Sequence, residues 1–540
     1  MSGPQDESEP RAVSSEAALI SVCAALGAAR ACGPLSKAEA SLLRRARQLP
    51  RPSAETLSRL IAEIRAGGDP LGEAFCVVRP GTRRRSLGAF YTVEGIVTAM
   101  ASWVLARNPD IIIDVGCGSG RFAAAVRRLG FGGETIAIDI DPLATVMTRA
   151  NLTVLGHRHA TVVHGDLLRL SLADSRRGRT AFIGNPPYVR HHTLRPEAKR
   201  WAQKSGDALG VQVSGLSGLH ALFVLAIAGL SRPGDLGCLI TAAEWLDVGY
   251  GSALRTLFAQ HLGCVRLDIG DPRTSAFGDA MSTAAIVSWE VGYSDAVSMR
   301  ETRDLKTLRA LTGGRAISRD TLTRSSRWRD LLHPRPHRDG LVPLGTYARV
   351  HRGIATGANG FFILSRDEAI IRELGGHVRP CVTRAHQVLS SGGVVRADKL
   401  DHVLLEVQDA ADHDRALRSY LAEGIRHRVH ERYLCEHRNP WWRLGGGPPP
   451  PIVATYMARQ APMFATNPDR CRIVNVLHGI HFREEVGEDI ATTLVVWLNN
   501  HRDTLTGGRT YHGGLRKFEP RELEAILVPP LHELDARRVK

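Results

Sequence analysis

The sequence lacks the patterns of a metalloprotein, a disulfide-linked protein or a membrane protein. Its nine cysteines form no CxxC pair and no cysteine–histidine cluster at zinc-ligand spacing, which argues against a metal site and a disulfide framework. The longest apolar run, ALFVLAIAGL, has ten residues and is too short to span a bilayer. The amino terminus is polar and acidic, unlike a signal peptide. We therefore expect a cytoplasmic protein with no metal and no membrane partner.

Acidic residues are also in deficit, and the chain is longer than one ordinary domain. Lysine and arginine number 70 against 55 aspartates and glutamates, a formal charge of +15, which favours a polyanionic partner. At 540 residues, two or three domains are expected. After about residue 300 the strands become short, and 15 of the 22 histidines lie in this part of the chain. A polar surface with many donors and acceptors is expected there.

Strand-then-helix units precede the middle of the chain and predict a parallel α/β sheet. The apolar run Ile111–Val115 carries Asp114 and is followed by the glycine-rich GCGSG. Such a turn lets the backbone approach a ligand closely at the carboxyl end of a strand. Two further predicted strands end in Asp139 and Asp166. An acidic residue at the second strand end can accept both hydroxyls of a ribose, so the pattern indicates a nucleotide-like ligand.

A fourth strand, Thr180–Gly184, is followed by Asn185, Pro186, Pro187 and Tyr188. The nitrogen of a planar amino group shares its lone pair with the attached π-system and is a poor nucleophile until that pair is localised. The Asn185 side-chain oxygen and the Pro186 carbonyl can accept hydrogen bonds from such a group, and Tyr188 offers a flat face for stacking. From these residues alone, adenine, cytosine, an RNA base and a glutamine amide all fit.

Taken together, the motifs resemble those of S-adenosylmethionine-dependent N6-adenine DNA methyltransferases. GAFYTVEGIVTAM resembles the segment that closes over the methionine end of the cofactor, DVGCGSG the cofactor glycine turn, AIDID the ribose-binding strand, HGDLL the adenine-contacting strand and GNPPY the catalytic turn. The resemblance implies S-adenosyl-L-methionine as cofactor. The cofactor-binding residues that it implies are Phe90, Tyr91, Thr92, Asp114, Gly116, Gly118, Gly120, Asp139, Ile140, Asp166, Leu167 and Asn185.

The order of the motifs implies the gamma group of these enzymes, because only nineteen positions separate Asp166 from Asn185 and no recognition domain fits between them. We expect a helical region over residues 1–80, with helices at Glu16–Ala31, Ser36–Gln48 and Ala54–Ala66. A methyltransferase domain over 81–295 follows, with a Rossmann-like seven-stranded sheet. A mixed α/β target-recognition domain over 296–540 completes the chain.

An aromatic side chain from the last hairpin of the sheet holds the extruded base in the family. Matching the pattern AFGDAMSTAAIVSW assigns this role to Trp289, with Phe277 as second choice. The catalytic set implied by the resemblance is Asn185, Pro186, Tyr188 and Trp289.

Two segments of the last 240 residues resemble the start and the end of the family's recognition domain, RGIATGANGFFIL and YHGGLRKFEPRELEAILVPP. Within the first, Arg352 and Asn359 are candidate DNA contacts. Trp441 and Trp442 precede the run GGGPPPP, which predicts an exposed connector, and we expect the two tryptophans to pack it down.

The expected activity is therefore methylation of N6 of adenine in double-stranded DNA by base flipping, in a restriction-modification or similar defence system. A separately encoded restriction endonuclease is a candidate partner. Adenine in RNA, N4 of cytosine and a glutamine of a release factor remain alternatives, as does a DNA-binding module without catalysis. The glutamine enzymes are much shorter, and the cytosine N4 enzymes more often carry serine where Asn185 stands.

Overall fold

In a computed structural model, the chain forms two compact units, residues 1–334 and 335–540. The structure describes residues 13, 15–30, 32–79, 92–171, 178–271, 284–332, 340–407, 414–458, 461–502, 505, 509–510 and 516–534. Across these ranges, no helix has the length and apolar character needed to cross a membrane.

Nine described strands form one sheet in the first unit. They are β1 Ile111–Val115, β2 Glu134–Asp139, β3 Ala160–His164, β4 Thr180–Gly184, β5 Leu236–Ala242, β6 Cys264–Gly270, β7 Ala284–Glu290, β8 Val297–Thr302 and β9 Arg315–Ile317. Their order in the sheet is β3-β2-β1-β4-β5-β7-β6-β8-β9. Strands β1 to β5 are parallel, whereas β7 is antiparallel to β5 and β6. The carboxyl ends of β1 to β5 therefore share one edge, called the carboxyl edge below.

The helices of the first unit pack on the two faces of this sheet or on the helices that cover it. They are α1 Glu16–Ala25, α2 Lys37–Ala46, α3 Ala54–Ala66, α4 Pro70–Val78, α5 Glu94–Leu105, α6 Arg121–Arg128, α7 Pro142–Val154, α8 Pro196–Ala208, α9 Leu219–Leu230, α10 Ser252–Thr256 and α11 Arg319–Arg324. Successive residues of a strand point to opposite faces, so Ile112 packs with Met100 of α5 while Ile113 packs with Leu222 of α9. Burial on both faces explains why β1 reads as a continuous apolar run.

The predicted α/β architecture is confirmed, with two differences. The seven predicted strands are present, and β8 and β9 extend the sheet beyond them. Because these two strands pair with β6 and with each other, the first unit continues to residue 334 and the expected boundary at residue 295 was too early.

The amino-terminal helices belong to the first unit. Helices α1 to α3 confirm the three predicted helices, the first of them ending earlier than expected, and α4 adds a fourth. Leu19 and Ile20 of α1 pack against Val146 and Met147 of α7. The guanidinium of Arg149 forms a buried ion pair with Glu39 of α2, with 2.8 Å between Nε and Oε1.

The second unit is mixed α/β, as predicted. Its strands are β10 Val342–Pro343, β11 Ala348–Arg352, β12 Ile363–Ser365, β13 Val378–Val382, β14 His402–Leu405, β15 Ile452–Thr455, β16 Met457–Ala458, β17 Phe464–Thr466, β18 Arg472–Ile473, β19 Leu477–Phe482, β20 Arg509–Thr510, β21 Arg516–Lys517 and β22 Leu527–Val528. Its helices are α12 Asn359–Phe362, α13 Arg366–Ile371, α14 Ala385–Leu389, α15 Arg415–Arg426, α16 Tyr433–Glu436, α17 Glu488–Asn500 and α18 Pro520–Glu524. Two four-stranded sheets, β11-β19-β15-β17 and β12-β14-β13-β18, form its centre.

Candidate active site

The glycine-rich turn follows β1 and leads into α6. Gly116, Gly118 and Gly120 have φ angles of 71°, 57° and 81°, a left-handed conformation that side chains disfavour. A Cβ atom on Gly118 would meet no atom within 4 Å, so its conformation rather than its surroundings requires glycine. A Cβ atom on Gly120 would lie 2.7 Å from a methyl carbon of Thr148, so helix α7 packs directly against the turn.

Asp139, at the end of β2, holds this turn in place. Its Oδ2 accepts a hydrogen bond from the Gly118 amide at 2.9 Å, and its Oδ1 accepts one from the Asp141 amide at 2.9 Å. Burial raises the pKa of Asp139 above the ordinary aspartate value. The next side chain, Ile140, is 64% exposed. An exposed apolar side chain beside two hydrogen-bonded strand ends offers a surface on which a planar ring can lie.

Asp114 is fully buried at the end of β1. Its Oδ2 accepts a hydrogen bond from the Ala123 amide, in the first turn of α6, at 3.0 Å. Its Oδ1 has no hydrogen-bond partner among the residues that the structure describes. Burial raises the pKa of Asp114 to about 7. Because a buried polar oxygen needs a partner, Oδ1 of Asp114 is suited to a cationic or hydrogen-bonding ligand.

Asp166 and Leu167, after β3, differ in their surroundings. Asp166 is half-buried and accepts a hydrogen bond from the Leu168 amide through Oδ1 at 3.0 Å. The side chain of Leu167 is 3% exposed and belongs to the hydrophobic core. Of the two, the Asp166 carboxylate is the group with access to a ligand.

The predicted catalytic turn lies at the adjacent strand end, after β4. Asn185 donates a hydrogen bond from Nδ2 to Oγ1 of the buried Thr92 at 3.0 Å, and Pro186 is buried. The structure thus joins Thr92, predicted to contact the cofactor, to the catalytic asparagine. Phe90 and Tyr91, predicted for the same role, lie outside the described residues.

The glycine turn and the catalytic turn are neighbours. A Cβ atom on Gly116 would lie 3.8 Å from Cδ of Pro187 and 3.5 Å from Cε1 of Phe223. This proximity follows from the parallel pairing of β1 with β4, in which Asp114 lies opposite Ile183. A ligand bound on the glycine turn would therefore lie beside the NPPY segment.

Tyr188 is held against the end of β5. Its hydroxyl donates a hydrogen bond to the Ile240 carbonyl at 3.3 Å, and burial raises its pKa well above the ordinary tyrosine value. The ring of His220, on α9, meets the tyrosine ring edge-on with 6.4 Å between centroids and an angle of 74°. Burial lowers the pKa of His220 to about 4, so both rings are neutral near pH 7.

His220 is a residue of this site that the sequence did not reveal. It stands in the apolar run of α9, where a single histidine is a weak signal. Its neighbour Gly218 has no room for a side chain, since a Cβ atom there would lie 2.7 Å from the Val189 carbonyl oxygen and 3.2 Å from Nδ1 of His220.

The prediction for Trp289 was wrong. Its side chain is fully buried, 5.7 Å from the ring of Phe258, and lies opposite Gly237 at the start of β5. Because β7 is antiparallel to β5, Trp289 lies at the opposite edge of the sheet from Asn185. Gly270, the last residue of β6, and Ala284, the first residue of β7, both lie at the carboxyl edge. Phe277, the second choice, lies outside the described residues.

In the second unit, the guanidinium of Arg352 lies 4.9 Å from the centre of the Tyr456 ring, and Nζ of Lys517 lies 5.1 Å from it. Arg352 also forms an ion pair with Glu519 at 3.1 Å. Asn359 is exposed at the start of α12 and accepts a hydrogen bond from the Thr356 hydroxyl.

The two adjacent tryptophans of the second unit pack as predicted. Trp441 and Trp442 lie against the core of this unit, with 5.5 Å between the rings of Trp441 and Phe361. Residues 445–448 of the glycine- and proline-rich run that follows are exposed and lie outside helices and strands. The predicted exposed connector is therefore confirmed at its glycine-rich end.

Comparisons with known proteins match both units. Residues 112–203 match a methyltransferase domain, residues 174–267 match the Eco57I restriction-modification methylase family, and residues 324–540 match the C-terminal domain of type II methyltransferase M.Eco57I.

Two relatives match over most of their length. Type II methyltransferase M.XamI of Xanthomonas campestris pv. amaranthicola is 38% identical over 84% of this chain and 88% of its own. Type II methyltransferase M.AccI of Acinetobacter calcoaceticus is 24% identical over 84% of this chain and 87% of its own. The solved structure of the type IIL restriction-modification enzyme MmeI in complex with DNA is similar in fold, with a TM-score of 0.56 and 13% identity over 89% of this chain and 72% of that chain.

Proposed function

The chain belongs to the family of type II restriction-modification methyltransferases, and we propose that it transfers a methyl group from S-adenosyl-L-methionine to N6 of adenine in double-stranded DNA. The observation that carries this proposal is the contact between the glycine turn and the catalytic turn. The position of a Cβ atom on Gly116 is 3.8 Å from Cδ of Pro187, so a cofactor bound on one turn would meet a base held by the other.

The groups at the ends of β1 to β3 fit this cofactor. Its cationic amino group would pair with Oδ1 of Asp114, which is buried and has no hydrogen-bond partner within the described part of the chain. Its adenine would lie on the exposed side chain of Ile140, with the Asp166 carboxylate within reach of the ring's amino group. Both oxygens of Asp139 already accept backbone hydrogen bonds, so Asp139 holds the glycine turn as well as offering acceptor capacity to a ribose.

The catalytic turn supplies two acceptors for the target amino group. The hydrogen bond from Nδ2 of Asn185 to Thr92 fixes the side-chain amide and directs its oxygen away from Thr92. This oxygen and the Pro186 carbonyl accept the two amino hydrogens of adenine, which localises the nitrogen lone pair. When bound, S-adenosylmethionine supplies an electrophilic methyl group on a sulfonium sulfur. The chain therefore needs no covalent nucleophile of its own.

A base inside a duplex cannot reach this turn, so the adenine must be flipped out of the stack. We propose that it lies on the neutral ring of Tyr188, which the Ile240 carbonyl and His220 keep in place. Trp289 lies at the other edge of the sheet, so another aromatic residue must stack on the adenine opposite Tyr188. We propose that it comes from the sequence between β6 and β7. Phe277 is the candidate there.

The second unit is proposed to bind the duplex. Its cations lie beside aromatic rings that can face bases or sugars, as Arg352 and Lys517 do at Tyr456. Helix α16 adds an exposed aromatic pair, since Tyr433 is 74% exposed and its ring lies 4.5 Å from that of His437, and the exposed Arg432 precedes it in the sequence. Phosphate contacts by these cations would make DNA affinity fall steeply with salt.

The test is a transfer assay with a radiolabelled methyl donor on plasmid DNA, RNA and a release factor, followed by mass spectrometry of the digested products. We expect label in DNA only, as N6-methyladenine. Label as N4-methylcytosine, in RNA or in glutamine would contradict the proposed base or substrate. Absence of transfer to all three, with DNA binding retained, would identify a DNA-binding module without catalysis.

A further inference from the structure

The amino-terminal helical region contacts all three strand ends that are proposed to bind the cofactor. Asp69 and Arg79, which make two of the contacts, are mostly buried, and Ser36, which makes the third, is half-buried. Two of the contacts come from the two ends of α4 and the third comes from the start of α2, and they reach Ser119 after β1, Asp141 after β2 and His164 at the end of β3. A helical region that only covered the hydrophobic face of α7 would have no need of them.

The first contact joins α4 to the glycine turn. Asp69, which is 3% exposed, accepts a hydrogen bond from the Ser119 hydroxyl through Oδ2. Its Oδ1 accepts one from the Gly72 amide at 3.0 Å and so caps α4. Asn151 of α7 completes the link, since its Nδ2 donates to the Ser119 carbonyl at 2.9 Å and to Asp69 at 3.4 Å. One carboxylate thus fixes both the start of α4 and the middle of the turn.

The second contact lies at the other end of α4. Arg79 donates from Nη1 to Oδ2 of Asp141 and from Nε to Glu16 of α1 at 3.3 Å. Asp141 caps α7 through the Leu143 amide at 3.0 Å and directly follows Ile140. The Arg79 side chain is 11% exposed and that of Asp141 is 14% exposed, so water screens this pair only weakly.

The third contact joins α2 to the strand ends. His164 faces the hydroxyl of Ser36, the residue that caps α2, with 3.0 Å between Nδ1 and Oγ. Its other ring nitrogen, Nε2, lies 3.1 Å from the Ile140 carbonyl oxygen. The histidine therefore connects the amino-terminal helices with the residue whose side chain is proposed to support the cofactor adenine.

We propose that helices α1, α2 and α4 hold the cofactor-binding turns in their binding conformation, with Asp69 and Arg79 as positioning residues. The inference rests on the proposed cofactor. A turn with three left-handed glycines has many alternative conformations, and restricting them during folding removes that ordering cost from ligand binding. Neither residue needs to touch the cofactor. Loss of either contact should weaken cofactor binding and leave the catalytic turn intact.

The experiment compares Asp69→Ala with Ser53→Ala in the full-length protein. Ser53 caps α3 through the Thr56 amide at 3.1 Å, so both substitutions remove a helix cap, but only Asp69 contacts the glycine turn. With S-adenosylhomocysteine in calorimetry, we expect Asp69→Ala to weaken binding roughly 10- to 100-fold, the range for lost hydrogen bonds to a charged group. Ser53→Ala should change the affinity for S-adenosylhomocysteine by less than about twofold, as expected for a helix cap that does not contact the glycine turn.

Two further measurements separate positioning from a general loss of folding. In the ligand-free protein, hydrogen exchange of the amides of residues 116–120 should be faster in Asp69→Ala than in Ser53→Ala. In the transfer assay, the KM for S-adenosylmethionine should rise, while kcat at saturating cofactor and the KM for DNA stay near the wild-type values. Equal affinities in the two variants, or a loss confined to kcat, would overturn the inference.

Arg79→Gln provides a second variant should Asp69→Ala not fold, because it breaks the contact with Asp141 without removing a cap of α4. The same rise in the KM for the cofactor is expected, and an unchanged KM would count against the proposal. Wild-type protein that fails to bind S-adenosylhomocysteine would refute the proposed cofactor and this inference together. Wild-type binding with unaffected Asp69→Ala and Arg79→Gln would refute the inference alone.

Discussion

At the carboxyl edge of the sheet, the ends of β1 to β3 are built differently from the end of β4. The first three carry carboxylates that accept backbone hydrogen bonds, as Asp139 does from Gly118 and Asp141, and the amino-terminal helices hold them from outside. The end of β4 instead carries an amide and a phenol held by one hydroxyl and one carbonyl. Because the hydrogen bonds described at the two parts involve different side chains, ligand binding and methyl transfer should be separable by mutation.

Asn185→Ala offers the strongest test of that separation. Loss of one preorganised polar contact to the reacting group typically lowers kcat roughly 100- to 1000-fold. We expect at least this loss in the transfer assay, because the target amino group loses an acceptor. The affinity for S-adenosylhomocysteine in calorimetry should stay near wild type.

Asn500→Ala is the control for this substitution, since Asn500 is exposed at the end of α17 in the second unit. It should leave both measurements unchanged. If Asn185→Ala keeps full activity, the catalytic assignment fails. If it instead abolishes ligand binding, the two parts of the edge are not independent.

Asp139→Ala addresses the other side of the comparison. The substitution removes the acceptor of the Gly118 and Asp141 amides, so the glycine turn loses its attachment to β2. We expect the affinity for S-adenosylhomocysteine to fall about 10- to 100-fold, as for other lost hydrogen bonds to a charged group. With saturating cofactor, kcat should recover to near the wild-type value. A kcat that stays low would place Asp139 in the transfer step itself.

Much of this arrangement could be predicted from the sequence, because its signals are local. The bounds of β1 and β4 were predicted as observed, the three aspartates lie within two residues of the ends of β1 to β3, and the NPPY segment directly follows β4. Hydrogen bonds between residues that are far apart in the chain have no such local pattern in the sequence. Asp69 is 50 residues from Ser119 in the chain, and Ser36 is 128 residues from His164. Their hydrogen bonds arise only after the amino-terminal helices pack on α7.

We expect a smaller effect of pH on the affinity for S-adenosylhomocysteine, because Asp114 titrates in the neutral range. Its folded-state pKa of about 7 lies above the ordinary aspartate value, so its protonated form favours folding at low pH and this stabilisation is lost as pH rises through 7. A cationic ligand group needs the carboxylate. The affinity for S-adenosylhomocysteine should therefore fall about tenfold for each pH unit below 7.

Calorimetry between pH 5.5 and 8.5 would measure this dependence, and Asp114→Asn should remove it while binding more weakly at pH 8. A wild-type affinity that does not change across this range would show that Asp114 does not pair with the ligand's amino group. The hydrogen bond from the Ala123 amide would then be its main role.

Trp289→Phe should have the smallest effect on activity, and it tests the difference between the two edges of the sheet. The sequence pattern predicted that Trp289 stacks on the flipped DNA base. Its pairing with Gly237 instead places it at the edge of the sheet opposite the carboxyl edge, against Phe258. The smaller ring should leave a cavity that lowers the free energy of unfolding by about 2 kcal/mol. Per folded molecule, kcat/KM with plasmid DNA should not change.

Trp328→Phe is the matched control, because Trp328 is 1% exposed, lies in the same core and is far along the chain from the catalytic turn. Denaturant unfolding and the transfer assay on both variants should give the same pattern of lower stability and unaltered turnover. If Trp289→Phe alone loses activity with DNA while its stability matches that of Trp328→Phe, then Trp289 reaches the base after all. The antiparallel register of β7 would then have to differ in the DNA-bound protein.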